Sequence, residues 1–410
     1  MEYEKLPKIF YKNGKDYYEN EFEKRRTSYG SYVTNLDIKG FRKGQTVNEV
    51  YQLFYVNTHK LMTLNNKVLI NSSKITTLIS KLPKFVVEPY FHKLIINEAQ
   101  SNNEIEGIRS TKKELKEVLG GVMKSEKKHK RFEGLMKTYL FIDKIEPFKK
   151  ILDFRKLYDD LVSDEIDKED EPDGELFRKG YVEITDGANT THIGVNSEIK
   201  IIESLNALIS FLDDEQHSEL YRYMVGHYYY EYIHPFYDGN GRTGRLLVCS
   251  YLSRYLDRYS AITFSYAVNK SKSKYYKALE EIPFPLNKGE ITFYLIDMLE
   301  LLLLGQEGII EDLEINLSKI EKIDKYFEGD IWNRRTEESK ILMLMTYLSV
   351  FVNEDTTFTV ADLMKLSNQS RYKINQIMSS LEKDKYVQMV TPRPIKYSVC
   401  DEFLESTLSF

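Results

Sequence analysis

The sequence predicts a mainly α-helical protein. Apolar residues recur at helical spacing over most of the 410 residues, and before residue 350 only residues 180–194 have a strong strand pattern. Apolar residues make up 42% of the chain and charged residues 30%, which is the balance of a globular protein. The length predicts two or three domains rather than one core.

The first predicted region covers residues 1–125. Within it, residues 45–125 are predicted to be entirely helical because apolar residues recur near helical spacing: Val50, Leu53, Phe54, Leu61 and Met62. The first 40 residues give no clear pattern. Residues 124–131 are almost all charged, which is typical of a solvated turn, so the region is predicted to end there.

The second predicted region, residues 126–305, is a helical core. Residues 180–184 and 189–194 predict a hairpin of two short strands within it. The predicted helices of this region cover residues 132–161, 197–212, 217–233, 245–255, 272–281 and 290–304. The helix over 217–233 is rich in aromatic residues and leads directly into the most informative segment of the chain.

Residues 306–330 are predicted as a linker helix because the stretch 311–325 is highly charged. Residues 331–410 differ in pattern: a helix over 335–351 is followed by helices that open at Thr359 and Ser370. Two strands are then predicted, over residues 386–389 and 395–399, around Pro392 and Pro394. This order of elements is typical of a winged helix-turn-helix.

Composition narrows the function classes. The formal net charge of −5 and pI near 6.0 argue against a chain built throughout to coat nucleic acid. The two cysteines, Cys249 and Cys400, cannot build a disulfide framework or a Cys-based zinc site. The strongest apolar run, residues 291–304, contains Asp297 and Glu300, and the amino terminus is charged. We therefore expect a cytoplasmic protein without a membrane span.

Residues 234–245, His-Pro-Phe-Tyr-Asp-Gly-Asn-Gly-Arg-Thr-Gly-Arg, have the chemistry of an anion-binding turn. Gly239 and Gly241 permit backbone conformations closed to other residues, so that consecutive N–H groups can surround phosphate oxygens. A helix then begins, and its dipole adds positive potential. Arg242 and Arg245, three residues apart, can share one face and bind phosphates bidentately.

Three other side chains of this segment suit phosphoryl chemistry. The Asp238 carboxylate is a ligand type that Mg²⁺ prefers, and Asn240 can either bind a phosphate oxygen or orient the turn. The His234 imidazole can accept the proton of an attacking hydroxyl. Arg242 and Cys249 stand where a calcium-binding loop requires ligands, which argues against calcium. A helix connection that contains these residue types by chance remains the alternative.

The segment resembles the signature of the Fic family, His-Pro-Phe-x-Asp/Glu-Gly-Asn-Gly/Lys-Arg with a second arginine three positions later, and the match is complete. The likeness extends over roughly residues 90–300. It implies a helical core with a hairpin flap, ATP and Mg²⁺, and transfer of AMP to a Ser, Thr or Tyr hydroxyl. His234 would be the base and Asp238 the metal ligand. The nucleotide-binding residues would include Gly239, Asn240, Gly241, Arg242, Gly244 and Arg245.

Residues 101–107 resemble the inhibitory motif of many Fic proteins, Ser/Thr-x-x-x-Glu-Gly/Asn. Glu106 and Gly107 match it, whereas Asn102 replaces the Ser or Thr. The Glu106 carboxylate could pair with Arg245 and deny it to the γ-phosphate of ATP. Alternatively, the same carboxylate could activate a water that removes AMP from modified protein, or could merely cap a helix end.

The hairpin occupies the place of the family's flap, whose strand edge can pair with a target segment. His192 and Ile193 are candidates to contact the target, although His192 is equally an ordinary strand residue. Tyr275 and Tyr276 resemble paired aromatics that line the adenine pocket in relatives. Core packing is the alternative for both tyrosines.

The chain is therefore predicted to be a protein adenylyltransferase that modifies a target protein and itself and is inhibited by Glu106. A second copy of the chain is a further candidate partner. DNA is another, through a recognition helix that carries Arg371, Lys373, Asn375 and Gln376. Two alternatives remain: transfer of a different phosphate-containing group, and a DNA-binding regulator whose core only senses a nucleotide. The target, the oligomeric state and the net direction of the reaction are not predicted.

Overall fold

The structure, a computed structural model, describes residues 3–125, 131–162, 165–185, 187–351 and 356–409 and is mainly α-helical, as predicted. In chain order its elements are α1 (Leu6–Asn13), α2 (Lys15–Thr27), β1 (Ser31–Arg42), β2 (Gln45–Val56), α3 (His59–Lys81), α4 (Lys84–Ile105), α5 (Lys112–Met123), α6 (Glu133–Leu140), α7 (Ile151–Val162), β3 (Glu183–Thr185), β4 (Thr190–Ile193), α8 (Glu198–Leu212), α9 (Glu219–Ile233), α10 (Asn240–Tyr255), α11 (Arg258–Ala261), α12 (Phe264–Lys270), α13 (Lys272–Glu281), α14 (Thr292–Phe327), α15 (Asp330–Asn333), α16 (Thr336–Phe351), β5 (Phe358–Thr359), α17 (Val360–Ser367), α18 (Arg371–Lys383), β6 (Val387–Pro392), β7 (Ile395–Val399) and α19 (Asp401–Ser409). Most of the predicted charged turn, residues 126–130, lies outside the described residues.

The chain divides into two compact units. One comprises Met1–Ile75 and Leu94–Ile309, and the other comprises Thr76–Lys93 and Ile310–Phe410. The predicted linker helix over residues 306–330 is not a separate element, because α14 continues through it. Gly305 does not end this helix: a Cβ there would lie 2.5 Å from the Thr263 side chain, so the glycine is required for close packing.

The prediction of an entirely helical segment over residues 45–125 is wrong at its start. Residues 31–56 form a long antiparallel hairpin of β1 and β2, and only from His59 onward is the segment helical. In β1 the buried Leu36 and Ile38 alternate with exposed neighbours, which is the two-residue period of a strand. Val50, Leu53 and Phe54 lie on β2, and their helical spacing is coincidental.

The centre of the first unit is the helix α10, which is buried continuously from Asn240 to Leu252. A helix buried on all faces needs partners all round, and α10 packs against α7, α9, α11 and α12. The helix α9 packs in turn against α8. The predicted hairpin is present as β3 and β4, which pair in register through Ile184 and His192. Together these elements place residues 234–245 between two well-packed helices.

The second unit contains a three-stranded sheet of order β5-β7-β6, which the helix α19 follows in the chain. The predicted starts of its helices are confirmed by their caps. The Thr359 hydroxyl accepts from Asp362 N in a capping box that opens α17, and Ser370 accepts from Lys373 N at the start of α18. Within the described ranges, no helix combines the length and apolar character that crossing a bilayer requires.

Candidate active site

The segment 234–245 is a tight turn between α9 and α10. His234 caps α9 in the left-handed conformation, with φ 52° and ψ 63°, and its N–H donates to the Tyr230 carbonyl at 3.0 Å. Pro235 cannot continue the helix. Gly239 adopts φ 79° just before α10 begins, a conformation that glycine tolerates without a steric penalty. The backbone thus leaves one helix and enters the next within a few residues.

The Asn240 side chain closes this turn. Its Oδ1 accepts from Phe236 N at 2.9 Å and its Nδ2 donates to the Phe236 carbonyl at 2.8 Å. Of the two roles considered for Asn240, orienting the turn is therefore the one its contacts support. The neighbouring Asp238 carboxylate accepts from Gly239 N at 2.6 Å and keeps 51% of its side-chain surface exposed.

A cavity of about 360 Å³ lies beside the turn. Four residues of the motif line it: His234, Tyr237, Gly241 and Arg245. Glu106 lines it from the predicted inhibitory segment, and the flap contributes residues of both strands. Asp238, Gly239, Asn240, Arg242 and Gly244 are not among its lining residues. The structure therefore brings together only part of the predicted set.

Arg245 is held by the predicted inhibitory segment. Its Nη2 donates to Glu106 Oε1 at 2.7 Å, which is the predicted contact, and its Nε donates to Asn102 Oδ1 at 2.7 Å. The Asn102 carbonyl accepts a further bond from Nη2 at 3.2 Å. Asparagine in place of Ser or Thr thus supplies an acceptor to the guanidinium. Gly107, with φ 73°, turns the chain away after Glu106.

Arg242 has a different environment. Its Nη1 pairs with Glu165 Oε2 at 2.9 Å, and both side chains are nearly inaccessible, at 1% and 6% exposure. The predicted arrangement, in which Arg242 and Arg245 face one anion, is not what their placement shows. The spacing of three residues puts both on one side of α10, but loop residue Glu165 takes one of them away from the cavity.

Two glycines of the motif are needed for space. Gly241 lies in α10 rather than in an unusual conformation, and a Cβ there would lie 2.2 Å from Glu106 Oε1. A Cβ at Gly244 would lie 2.3 Å from Glu231 Oε1. The prediction that Gly241 supplies backbone freedom is therefore replaced by a steric reason, since the missing side chain lets a carboxylate approach the helix.

The His234 ring is neutral at physiological pH. Burial is the main cause of a pKa lowered to about 3, the nearby His192 ring and the positive charge of Arg178 lower it further, and the Glu231 carbonyl offsets part of the effect. Its Nδ1 atom is shielded from solvent and makes no hydrogen bond with described residues. A neutral imidazole at the cavity wall can accept a proton.

Glu231 is a cavity residue that the sequence analysis missed. Burial raises the pKa of its carboxyl to about 8, with Arg245 opposing and Glu106 reinforcing the rise. Its Oε1 is buried and has no hydrogen-bond partner in the described part of the chain. The available signal was its position three residues before His234, which places both on one side of α9.

The two predicted flap residues differ in placement. His192 lines the cavity, and its Nε2 donates to the Tyr232 carbonyl at 2.8 Å. Burial lowers the pKa of His192 to about 4, so the ring is neutral. Ile193 pairs with Glu183 in the hairpin and does not line the cavity. Most of the flap lining comes instead from residues 182–185.

Tyr275 and Tyr276 both line the cavity. The His227 Nδ1 must donate to the Gly244 carbonyl, 3.2 Å away, so its Nε2 accepts from the Tyr275 hydroxyl at 2.8 Å. The Tyr276 hydroxyl donates to the Ile105 carbonyl at 3.4 Å. One tyrosine therefore supports α10 and the other contacts the residue before Glu106.

A magnesium ion fits the residues present only as an ion shared with a nucleotide. Within the described ranges, no group of three or more His, Cys, Asp or Glu side chains could hold a metal. Mg²⁺ commonly uses one protein carboxylate together with waters and substrate phosphates, and the exposed Asp238 supplies such a carboxylate.

The chain is similar to known proteins in a sequence family and in its fold. Residues 150–252 match the model of the Fic/DOC family. A Fic family protein from Desulfovibrio desulfuricans G20 shares the fold, with a TM-score of 0.52 and 16% identity over 88% of this chain and 99% of that chain. Fic-1 from C. elegans has a TM-score of 0.42 and 17% identity, over 62% and 74% of the two chains.

A Fic domain containing signaling protein from Bacteroides thetaiotaomicron VPI-5482 has a TM-score of 0.40 and 19% identity, over 62% and 95% of the two chains. A sequence search of curated proteins found no match. The family match includes both the hairpin and the motif of residues 234–245. The chain therefore contains a Fic/DOC family domain.

Proposed function

We propose that this chain transfers AMP from ATP to a Ser, Thr or Tyr hydroxyl of a target protein and of itself, and that Glu106 inhibits the transfer. Domains of the Fic/DOC family generally transfer a nucleotide-derived group to proteins. The observation that carries the proposal is the placement of His234, Arg245 and Glu106 around one cavity. The reaction needs a base and a side chain that binds phosphate, which His234 and Arg245 would supply. The Glu106 carboxylate is paired with this arginine.

In the proposed reaction the substrate hydroxyl oxygen forms a bond to the α-phosphorus of ATP. The bond from this phosphorus to the bridging oxygen breaks, and pyrophosphate leaves with the electron pair. His234 accepts the hydroxyl proton, and its neutral ring supports this role. Arg245 would bind phosphate oxygens. Asp238 would hold Mg²⁺, which when bound neutralises part of the phosphate charge.

The contacts of Arg245 support inhibition by occupation. Glu106 takes an N–H of Nη2 and Asn102 takes the Nε–H, so these donors are not available to a phosphate. The Glu106 side chain is 28% exposed, so it can leave Arg245 and be solvated. Its position in the same cavity as His234 also supports the second proposed activity, in which Glu106 activates a water that removes AMP.

The first experiment compares automodification by the wild type, Glu106→Gly and Glu106→Gly/His234→Ala with Mg²⁺ and ATP labelled at the α-phosphate. We expect more label on Glu106→Gly than on the wild type, and none when His234 is also replaced. Glu104→Gly is the matched control, because Glu104 lies two residues earlier, at the end of α4, and its side chain bonds to Asn269 outside the cavity. Label from γ-labelled ATP would instead indicate phosphate transfer. No label in any variant that still binds ATP would contradict the proposal.

A second candidate function is DNA binding by the second unit, read as a winged helix. Arg371, Tyr372, Asn375 and Gln376 are exposed on α18, as a recognition helix requires. Fluorescence polarisation with a labelled duplex at about 50 and 200 mM salt tests it, since phosphate contacts make affinity fall steeply with salt. Binding that Arg371→Ala does not weaken would exclude this helix.

A further inference from the structure

A buried arginine lies behind the candidate base. Arg178 is 0% exposed, and among the described residues its guanidinium donates only to backbone carbonyls. Nε donates to His234 O at 2.8 Å, and Nη1 donates to Gly180 O at 2.6 Å. Nη2 donates to Val195 O at 2.9 Å and to Ile233 O at 3.3 Å. Four carbonyls from three segments of the chain thus meet on one side chain.

This arrangement is unusual because a buried charge is normally paired with an opposite charge. Among the described residues, no carboxylate lies within 4.0 Å of the Arg178 guanidinium to form an ion pair. Burial lowers the pKa of Arg178 to about 10, with Tyr237 and Asp173 opposing, so the group stays charged at neutral pH. The oriented carbonyl dipoles replace the counter-charge, and charge-assisted hydrogen bonds are shorter and stronger than neutral ones.

The four carbonyls belong to two functional elements. Ile233 and His234 form the end of α9, where the candidate base lies, and Gly180 and Val195 flank the two ends of the flap hairpin. At one of these ends, Gly194, the packing leaves no room for a side chain. A Cβ at Gly194 would lie 2.5 Å from Arg178 Nη2 and 3.1 Å from His234 Cβ.

His234 depends on this contact for its backbone conformation. A residue with a side chain is disfavoured at φ 52° because its Cβ approaches the following carbonyl oxygen. The Nε–H of Arg178 holds that carbonyl in place. The left-handed turn in turn directs the ring to the cavity wall instead of along α9.

We propose that Arg178 is a positioning residue that fixes both the conformation of His234 and the position of the flap hairpin, so that one guanidinium sets base and target-binding strands together. Its effect on turnover rests on the proposed transfer reaction. Its structural effects do not depend on that reaction.

The test uses Arg178→Met and Arg178→Lys in the wild-type and Glu106→Gly chains. In Arg178→Met we expect hydrogen exchange of amides 183–193 to become about tenfold faster or more, because the ends of the hairpin lose their anchor. We also expect the pKa of His234, followed by NMR of the ring, to rise because a nearby positive charge is gone. Arg178→Lys keeps the charge but not the full set of hydrogen bonds, so its hydrogen exchange should lie between those of Arg178→Met and the parent chain, while the pKa of His234 should stay near that of the parent.

Arg155→Met is the matched control. Arg155 also donates to a carbonyl of a neighbouring loop, that of Leu176, but touches neither the turn nor the hairpin. It should leave the exchange of residues 183–193 unchanged. In the Glu106→Gly chain, Arg178→Met should lower kcat about 10- to 100-fold and change KM for ATP less than about threefold, because positioning acts mainly on the transition state.

The outcomes separate the two proposals. Faster hairpin exchange and a raised pKa of His234 support the positioning role even if no chain transfers AMP, and that failure would then count against the proposed function alone. Folded Arg178→Met with unchanged exchange and unchanged titration of His234 would overturn the inference. If Arg178→Met does not fold, Arg178→Lys decides the question: parent-like hydrogen exchange of the hairpin overturns the inference, and faster exchange supports it.

Discussion

Arg242 and Arg245 lie one turn apart on α10, and each is paired with a carboxylate, but the two pairs differ in what surrounds them. Both arginine side chains are 1% exposed. The partner of Arg242, Glu165, is 6% exposed, whereas the partner of Arg245, Glu106, is 28% exposed and lines a cavity. An enclosed pair is costly to break, and a pair that reaches solvent is exchangeable. The comparison separates an enclosed ion pair from one that opens onto the cavity, and it supports the proposal that Arg245 is the arginine that binds phosphate.

The largest expected effect is on the exchangeable arginine. In Glu106→Gly, the further change Arg245→Gln should lower the initial rate of AMP transfer about 10³-fold, because a preorganised donor to the developing charge is lost. Arg254→Gln, on the same helix but outside the cavity, is the control and should change the rate little. Equal rates in Arg245→Gln and its parent would remove the distinction between the two arginines.

The next effect concerns the enclosed arginine. Arg242→Met should lower the free energy of unfolding by about 3 kcal/mol, because the Glu165 carboxylate loses its ion pair in a nearly inaccessible environment. Replacing Glu165 by Gln in the same chain should restore part of the loss. Urea unfolding of the four chains measures the coupling. Losses that simply add would show that the pair is not an energetic unit.

A smaller effect, dependent on pH, comes from Glu231, the second carboxyl near Arg245. Its pKa in the folded protein is about 8, far above the ordinary value, so between about pH 4.5 and 8 the folded state keeps a proton that the unfolded state has lost. The free energy of unfolding must then fall as pH rises through this range.

The substitution Glu231→Gln removes this pH-dependent loss of the free energy of unfolding. Relative to the wild type, the variant should be little changed at about pH 5 and more stable by at least about 2 kcal/mol at about pH 8. Thermal unfolding across this range measures the difference. A gap that stays constant with pH would mean that Glu231 does not titrate abnormally.

The smallest expected effect is a rate of AMP transfer that hardly changes with pH. Because burial lowers the pKa of His234 to about 3, the ring stays neutral between about pH 5.5 and 7.5. With saturating Mg²⁺ and ATP, the rate of Glu106→Gly should therefore vary less than about twofold over this range. A base of ordinary pKa would instead lose roughly tenfold on acidification, and such a loss would contradict the neutral-ring assignment.

The sequence predicted the parts of this fold in which local rules and tertiary packing agree. The motif, α8, α9, α13 and the flap hairpin were all placed correctly because their periodicity and turn residues are unambiguous. The hairpin of β1 and β2 was missed because Val50, Leu53 and Phe54 imitate a helical repeat. The clear alternation around Leu36 and Ile38 lay in residues treated as uninformative.

The candidate site was predictable only where its residues belong to recognisable sequence motifs. The Glu106–Arg245 contact was predicted because both residues belong to recognisable motifs. Arg178 and Glu165 could not be predicted, because they come from irregular loops and their partners are set by tertiary folding. From their spacing alone, Arg242 and Arg245 were predicted to bind the same anion. Their roles differ because the loop residue Glu165 pairs with Arg242.

The close approach of Glu106 to Gly241 ties two distant positions into one mutational constraint. A side chain at 241 would meet the carboxylate at 2.2 Å, and the flexible carboxylate is the group that would move. A single codon change at 241 would then release the proposed inhibition without any change in the inhibitory segment. Conversely, a lineage that lost the carboxylate at 106 could accept larger residues at 241, so substitutions at the two positions should be correlated.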